Sequence, residues 1–253
     1  MTQKLTPEKI EEAAKYYEDI TSGKTPILDK DKSFKQEEPK ILDSQARPIH
    51  KDMHEHLKKK DRTTYPLIPP TDPRLLMNIA PYTDDMLKVF EIKDRKELSD
   101  KMYKSMVKYG GIGLSANQVG LPFRMFVMGG HPQIDDGKVR NCFNPIIKDL
   151  SEETVLMKEG CLSFPFLFLS IKRPQWVNVQ YTDENGETVD EYLHGMSARI
   201  FQHENEHMNG YIFTDLVSKM KLDMAKKKQS KLIKQTIKSQ QQRLRSEVSS
   251  KNV

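Results

Sequence analysis

Apolar positions recur at three- and four-residue intervals through Leu98, Met102, Met106 and Tyr109, which predicts a helix around Glu97 to Tyr109 that stops at Gly110-Gly111. The period then changes. Arg124-Met-Phe-Val-Met128, Asn141 to Ile147 and Trp176-Val-Asn-Val-Gln-Tyr181 read as strands, and the turn Asp183-Glu-Asn-Gly186 leads to another over Glu187 to Leu193. A second helix is predicted from near Met196 to a C-cap at Asn209-Gly210. Internal repeats are absent and strands do not alternate with helices, so the pattern argues against a doubly wound sheet and for an α+β core.

Both ends of the chain read differently. Thr6-Pro7-Glu8 has the grammar of a helix start, so a short helix is expected over roughly 7–20. Residues 21–64 mix charge, proline and serine without period, as a flexible arm does, and Tyr65 to Pro73 is proline-punctuated and extended. Residues 218–253 have apolar positions at Met220, Met224, Leu232, Ile237 and Leu244, too irregular for a wide apolar face, and are expected to form a basic, helical tail. Charge follows the same three regions: 14 cations against 13 anions over 1–64, 16 against 21 over 65–217, and 11 against 2 over 218–253.

No stretch reaches the roughly 18 to 20 consecutive apolar residues of a membrane-spanning helix. The amino terminus is charged where a secretory signal is apolar, and too acidic for a transit peptide. A cytoplasmic protein with no membrane partner is therefore expected. Two cysteines, Cys142 and Cys161, are too few for a disulfide framework.

The candidate chemistry lies in His203-Glu-Asn-Glu-His207. On a helix the i, i+4 histidines share one face, as two ligands of one metal must, and Glu204 stands beside the metal-bound water. The preceding turn, with Ala198, Ile200 and Phe201, is apolar and buries the pair. A third ligand is needed. In H-E-x-x-H proteases it lies downstream, but the position that needs histidine is Phe213, and no glutamate occurs between His207 and Glu247. Upstream, Glu159-Gly-Cys-Leu-Ser163 offers Cys161 as a thiolate, the alternative being a buried structural cysteine. Gly111 to Gln118 is glycine-bearing and ends in a side-chain amide, but lacks the signature of a nucleotide loop.

Together these segments resemble the peptide deformylases, which carry G-x-G-L-A-A-x-Q, E-G-C-L-S and Q-H-E-x-D-H in this order. Here they read Gly111–Gln118, Glu159–Ser163 and Gln202–His207, and the likeness covers about residues 68–220, from Asp72-Pro-Arg-Leu75 onward. The resemblance implies antiparallel or mixed sheets around a central metal-binding helix, with a helix before it and one at the carboxy terminus. It implies that Cys161, His203 and His207 bind one divalent metal, usually ferrous iron with zinc as a substitute, that Glu204 is the general base and acid, and that Gln118 and the Leu162 backbone N–H face the developing oxyanion. Ile112, Gly113 and Gly160 would be backbone rails for an extended peptide, and Ile112, Met196 and Ile200 part of a methionine pocket. The reaction implied is removal of the N-formyl group from the initiator methionine of nascent chains by a catalytic domain over 65–217.

Four departures stand out. Ser115 replaces an alanine, Asn205 an apolar residue and Glu206 an aspartate, and Phe164 to Leu169 is apolar where the family often has a basic residue at the substrate entrance. The family's aspartate at Glu206 pairs with an arginine at the place of Arg173, so Arg173 is expected to meet Glu206. In some bacterial deformylases a carboxy-terminal helix contacts ribosomal RNA, a partner the basic tail suits; DNA is not expected. The competing readings are an H-E-x-x-H protease, against which Phe213 argues, and a catalytically idle ribosome-binding relative.

Overall fold

Strand β2 (Met125–Gly129) is buried along its whole length, because helices cover both of its faces. In this computed structural model, which describes residues 63–251, Met125 and Val127 face helix α2 (Arg95–Lys108) together with Leu98, Met102 and Met106. Phe126 and Met128 face helix α3 (Gly195–Met208) with Ala198 and Phe201. The Phe126 and Phe201 rings meet edge to face at 5.1 Å. A short helix α1 (Asp85–Val89), not anticipated from the sequence, adds Leu87 to the first cluster.

Five antiparallel strands form the main sheet, in the order β1 (Gly113–Ser115), β2, β3 (Val139–Leu150), β6 (Trp176–Thr182), β7 (Thr188–His194). β1 lies at one edge, with Leu114 opposite Val127. A separate hairpin pairs β4 (Thr154–Cys161) with β5 (Phe164–Pro174). Its register runs evenly from Thr154↔Pro174 to Gly160↔Phe168, then shifts so that Cys161 faces Phe164. The shift turns Cys161 off the regular ladder at the hairpin's tip.

The α+β class and the antiparallel sheets agree with the sequence reading, and α2, β2, β3, β6, β7 and α3 lie within a few residues of their predicted places. The start of α2 is set by Asp94, whose carboxylate accepts from Glu97 N at 2.8 Å. The expected helix over 7–20 and most of the arm lie outside the described residues. Helix α4 (Lys219–Lys251) spans the basic tail. The described residues fall into two compact units, 63–222 and 223–251. Among them no helix is long and apolar enough to cross a membrane.

At the C-terminus of α3 the last carbonyls find side-chain donors, as free helix ends require. Asn117 Nδ2 donates to His207 O at 2.9 Å, and Arg124 donates to Met208 O at 3.0 Å and Asn209 Oδ1 at 2.9 Å. Gly210 follows at φ +76°, where a Cβ would stand 2.6 Å from Leu76 O, so the chain leaves the helix through a position only glycine fits.

Across β3 and β7, buried Arg140 donates to both carboxylate oxygens of Glu191, which also accepts from Tyr181. Burial alone would raise the Glu191 carboxyl, but Arg140 and Tyr181 hold it below its ordinary value of 4.5. Its contribution to stability is present above pH 4.5 and is lost as pH falls further. The urea stability gap between the wild type and Glu191→Gln should therefore narrow as pH drops from 7 through 4.5. A gap that stays constant down to pH 3 would show that the pair carries no such linkage.

Candidate metal centre and active site

Helix α3 and the tip of the β4–β5 hairpin bring Cys161, His203 and His207 together, with donor atoms all within 4.8 Å of one another. His203 and His207 are one turn apart, their rings at 5.1 Å, and Cys161 Sγ lies 3.4 Å from His207 Nε2. Both histidines are buried and Cys161 keeps 8% exposure. The His203 ring is aimed by Glu159, whose Oε2 accepts from Nδ1 at 3.1 Å and so leaves Nε2 as the ring's ligand atom.

Burial opposes a charge on His203, but hydrogen bonds to Cys161 and Glu159 outweigh it and push its pKa up to about 10. His207, buried and next to that charge, is held well below 6.5. A thiol with two imidazoles is a donor set for iron or zinc rather than for a hard cation.

Glu204 is buried, and burial raises its carboxyl, while the charge on His203 and the Ser115 hydroxyl, which donates to Oε2, pull the other way. The Ser115 hydroxyl, fully buried where an alanine was expected, finds its partner in this carboxylate. β1 approaches α3 closely: a Cβ on Gly113 would stand 2.4 Å from Glu204 Oε1 and 2.8 Å from Ile200 Cγ2. Only glycine permits this contact. Gln118 is held by its neighbours, its Oε1 accepting from Ser115 N at 2.9 Å. Its Nε2 donates to Cys161 Sγ at 3.3 Å and Ser163 Oγ at 3.0 Å, so the amide points at the triad.

The remaining residues singled out in the sequence are spread around this centre. Leu162 forms the hairpin turn with Ser163 and packs against the α2 cluster. Gly160 is exposed on β4. Ile112 is half-buried with Ile200 in the α3 cluster, and its carbonyl accepts from Gly129 N at 2.9 Å. Met196, 37% exposed, stands about two turns before His203. Phe213, at the position a downstream histidine ligand would need, is buried with its ring 5.6 Å from that of His203.

Arg173 joins the two carboxylates behind the centre. It donates from NH1 and NH2 to Glu206, the latter at 2.9 Å, and from Nε and NH2 to Glu159 at 2.7 and 3.0 Å. Arg199 adds a bond to Glu159 Oε1 at 2.7 Å. These partners offset the burial of Glu159 and bring its carboxyl down to about 2. Glu159 and Arg199 were not recognised from the sequence as support for His203. The available signal was Arg199 itself, a charge four residues before His203 on an otherwise apolar turn.

A family model described as polypeptide deformylase matches residues 69–223. The chain belongs to the peptide deformylase family. It is 39% identical over 159 residues to a peptide deformylase of Thermotoga sp. strain RQ2, covering 62% of this chain and 89% of that protein. The crystal structure of the Ehrlichia chaffeensis peptide deformylase superposes with a TM-score of 0.59 at 34% identity, over 69% of this chain and 99% of that one. A class I type b peptide deformylase from Acinetobacter baumannii, in a crystal structure bound to Met-Ala-Ser, superposes at 0.55 with 29% identity, over 61% and 98%. As a peptide deformylase the chain is a metal-binding hydrolase of protein biosynthesis.

Arg173→Ala would leave two carboxylates behind the centre short of their shared cation. The loss should be about 3 to 5 kcal/mol in denaturant unfolding and about 10- to 100-fold in metal affinity by chelator competition. Glu206→Asp, restoring the family's shorter acid, should be tolerated in both measurements. Wild-type metal affinity in Arg173→Ala would separate this network from the metal site.

Proposed function

We propose that Cys161, His203 and His207 hold one divalent ion, iron(II) in the native enzyme with zinc able to replace it, and that the site hydrolyses the formyl amide of N-formyl-methionyl nascent chains. The observation that carries this reading is the convergence of one thiol and two imidazoles beside a buried carboxylate, Glu204. When bound, such an ion supplies Lewis acidity, polarising a carbonyl and lowering the pKa of water. Glu204 takes up the water's proton and returns it to the leaving amine. Ser115 holds that carboxylate in position.

Gln118 and the Leu162 backbone N–H donate to the oxygen that gains charge, and the tether of Gln118 to Ser115 supports a fixed direction for its amide. The peptide lies between two strand edges. Among the described residues β1 pairs only with β2 and β4 only with β5, so Ile112 and Gly113 border one open edge and Gly160 another. Extended peptides add to such edges through backbone hydrogen bonds, and the Met-Ala-Ser complex of the Acinetobacter relative supports an N-terminal methionine as the first residue. Ile112, Met196 and Ile200 form part of the apolar pocket for its side chain.

The catalytic domain is residues 65–217 of this reading, working in a reducing, cytoplasmic compartment that keeps Cys161 a thiol; both cysteines are free. The tail 218–253 serves a polyanion, ribosomal RNA. Lys227, Lys231, Lys234 and Lys238 are exposed at spacings of four, three and four, which puts them on one side of α4.

Formate release from formyl-Met-Ala-Ser, with metal content measured on the same sample, tests the activity. Release by metal-loaded protein and its loss on chelation is expected. Glu204→Gln should keep the metal and lose about 10²- to 10⁴-fold in turnover, and near-normal deformylation by that variant would end this mechanism. Reversing the four tail lysines to glutamate should weaken ribosome association and flatten its salt dependence. Unchanged association would remove the tail's role and leave the chemistry standing.

A further inference from the structure

The exposed face of the β4–β5 hairpin carries a pair of side chains that neither the triad nor Glu204 uses. Phe168 lies opposite Gly160 in the ladder and is 48% exposed. Its ring leans over that glycine, since a Cβ on Gly160 would stand 2.9 Å from Phe168 Cε1. Lys158, exposed two residues before Gly160, holds its ammonium 4.7 Å from the ring centroid. A large apolar surface is thus held in water, in a fixed place, beside the strand edge assigned to substrate.

We infer that Phe168 and Lys158 form the contact site for the second residue of the formylated peptide, favouring apolar and acidic side chains there over basic ones. This rests on the reading of the β4 edge as the substrate rail. Successive side chains of an extended chain point to opposite sides. On β4, Glu159 and Cys161 are buried while Lys158 and Gly160 face out. A peptide with its formyl group at Cys161 and its methionine side chain directed inward therefore turns its second side chain outward, to the side that carries Phe168. With about 3.3 Å of rise per residue, that side chain stands within a residue or two of Cys161 along the strand, the level of Gly160 and Lys158. An aromatic second residue can stack on the Phe168 ring. An acidic one meets the Lys158 ammonium, and a basic one is repelled by it, in each case weakly because the site is open to solvent.

The test uses the metal-loaded full chain, with Phe168→Ala and Lys158→Glu variants, on formyl-Met-Xaa-Ser peptides in which Xaa is Ala, Phe, Glu or Lys. Binding of the unformylated Met-Xaa-Ser peptides is measured alongside by calorimetry. The wild type should prefer Phe to Ala by roughly three- to tenfold in kcat/KM, carried by KM. Phe168→Ala should bring that ratio close to one, Lys158→Glu should exchange the order of the Glu and Lys peptides, and the binding constants should follow the same order. The same Phe-to-Ala ratio in the wild type and in Phe168→Ala, with both proteins melting cooperatively, overturns this inference and leaves the deformylase reading intact. Absence of formate release by the wild type from all four peptides overturns both.

Discussion

The buried carboxylate of Glu159 accepts from Arg173, Arg199 and His203 together, and the site depends on that arrangement. Among the described residues β4 and β5 form a hairpin with no third strand, a unit of marginal stability by itself, and Leu156 and Phe168 stand exposed on its outer face. Leu167, Leu169 and Ile171 are buried on its inner face, and charged contacts fix it to α3. Arg173 reaches from β5 to Glu206, Arg199 reaches from α3 to Glu159 and to the carbonyls of Ile171 and Val155, and His203 bonds Glu159 directly. A buried cluster of this kind is costly to desolvate and worth little as net stability, but losing one member leaves an uncompensated charge. It therefore defines one position of the hairpin against the helix, and that position puts Cys161 beside the two histidines.

A second constraint acts from the other side of α3. Gly113 lets β1 touch Glu204, Ser115 bonds the same carboxylate, and Gln118, three residues on, points at Cys161. One short segment of chain thus positions both the Glu204 carboxylate and the Gln118 amide. Asn117 from that segment also binds His207 O, so the loop and the last turn of the helix hold each other. The apolar clusters on either face of β2 supply the bulk of the packing, and the polar contacts supply the directions.

The parts of the fold that were legible in the sequence are those whose pattern is set by one buried face. α2 and β6 show this, with Leu98, Met102 and Met106 at helical spacing and Val177, Val179 and Tyr181 alternating inward. β1 was missed because three residues carry no period. β4 was missed because its inward residues Glu159 and Cys161 are polar or reactive while Leu156 faces outward, which inverts the usual alternation. The histidine pair was legible because i, i+4 spacing is a local property of a helix, and Cys161 and the pairing of Arg173 with Glu206 because a family pattern carried them. The role of Glu159 was not, since a carboxylate shared across 14, 40 and 44 residues of chain leaves no mark at short range.

The claim that these contacts create a single three-ligand metal centre is tested most directly by X-ray absorption of the zinc-loaded chain. The fitted first coordination sphere should contain one sulfur at about 2.3 Å and two imidazole nitrogens at about 2.0 to 2.1 Å. The sulfur contribution should vanish in Cys161→Ser and persist in Cys142→Ser. A sphere of nitrogen and oxygen alone in the wild type, or a sulfur signal that survives Cys161→Ser, would contradict the account.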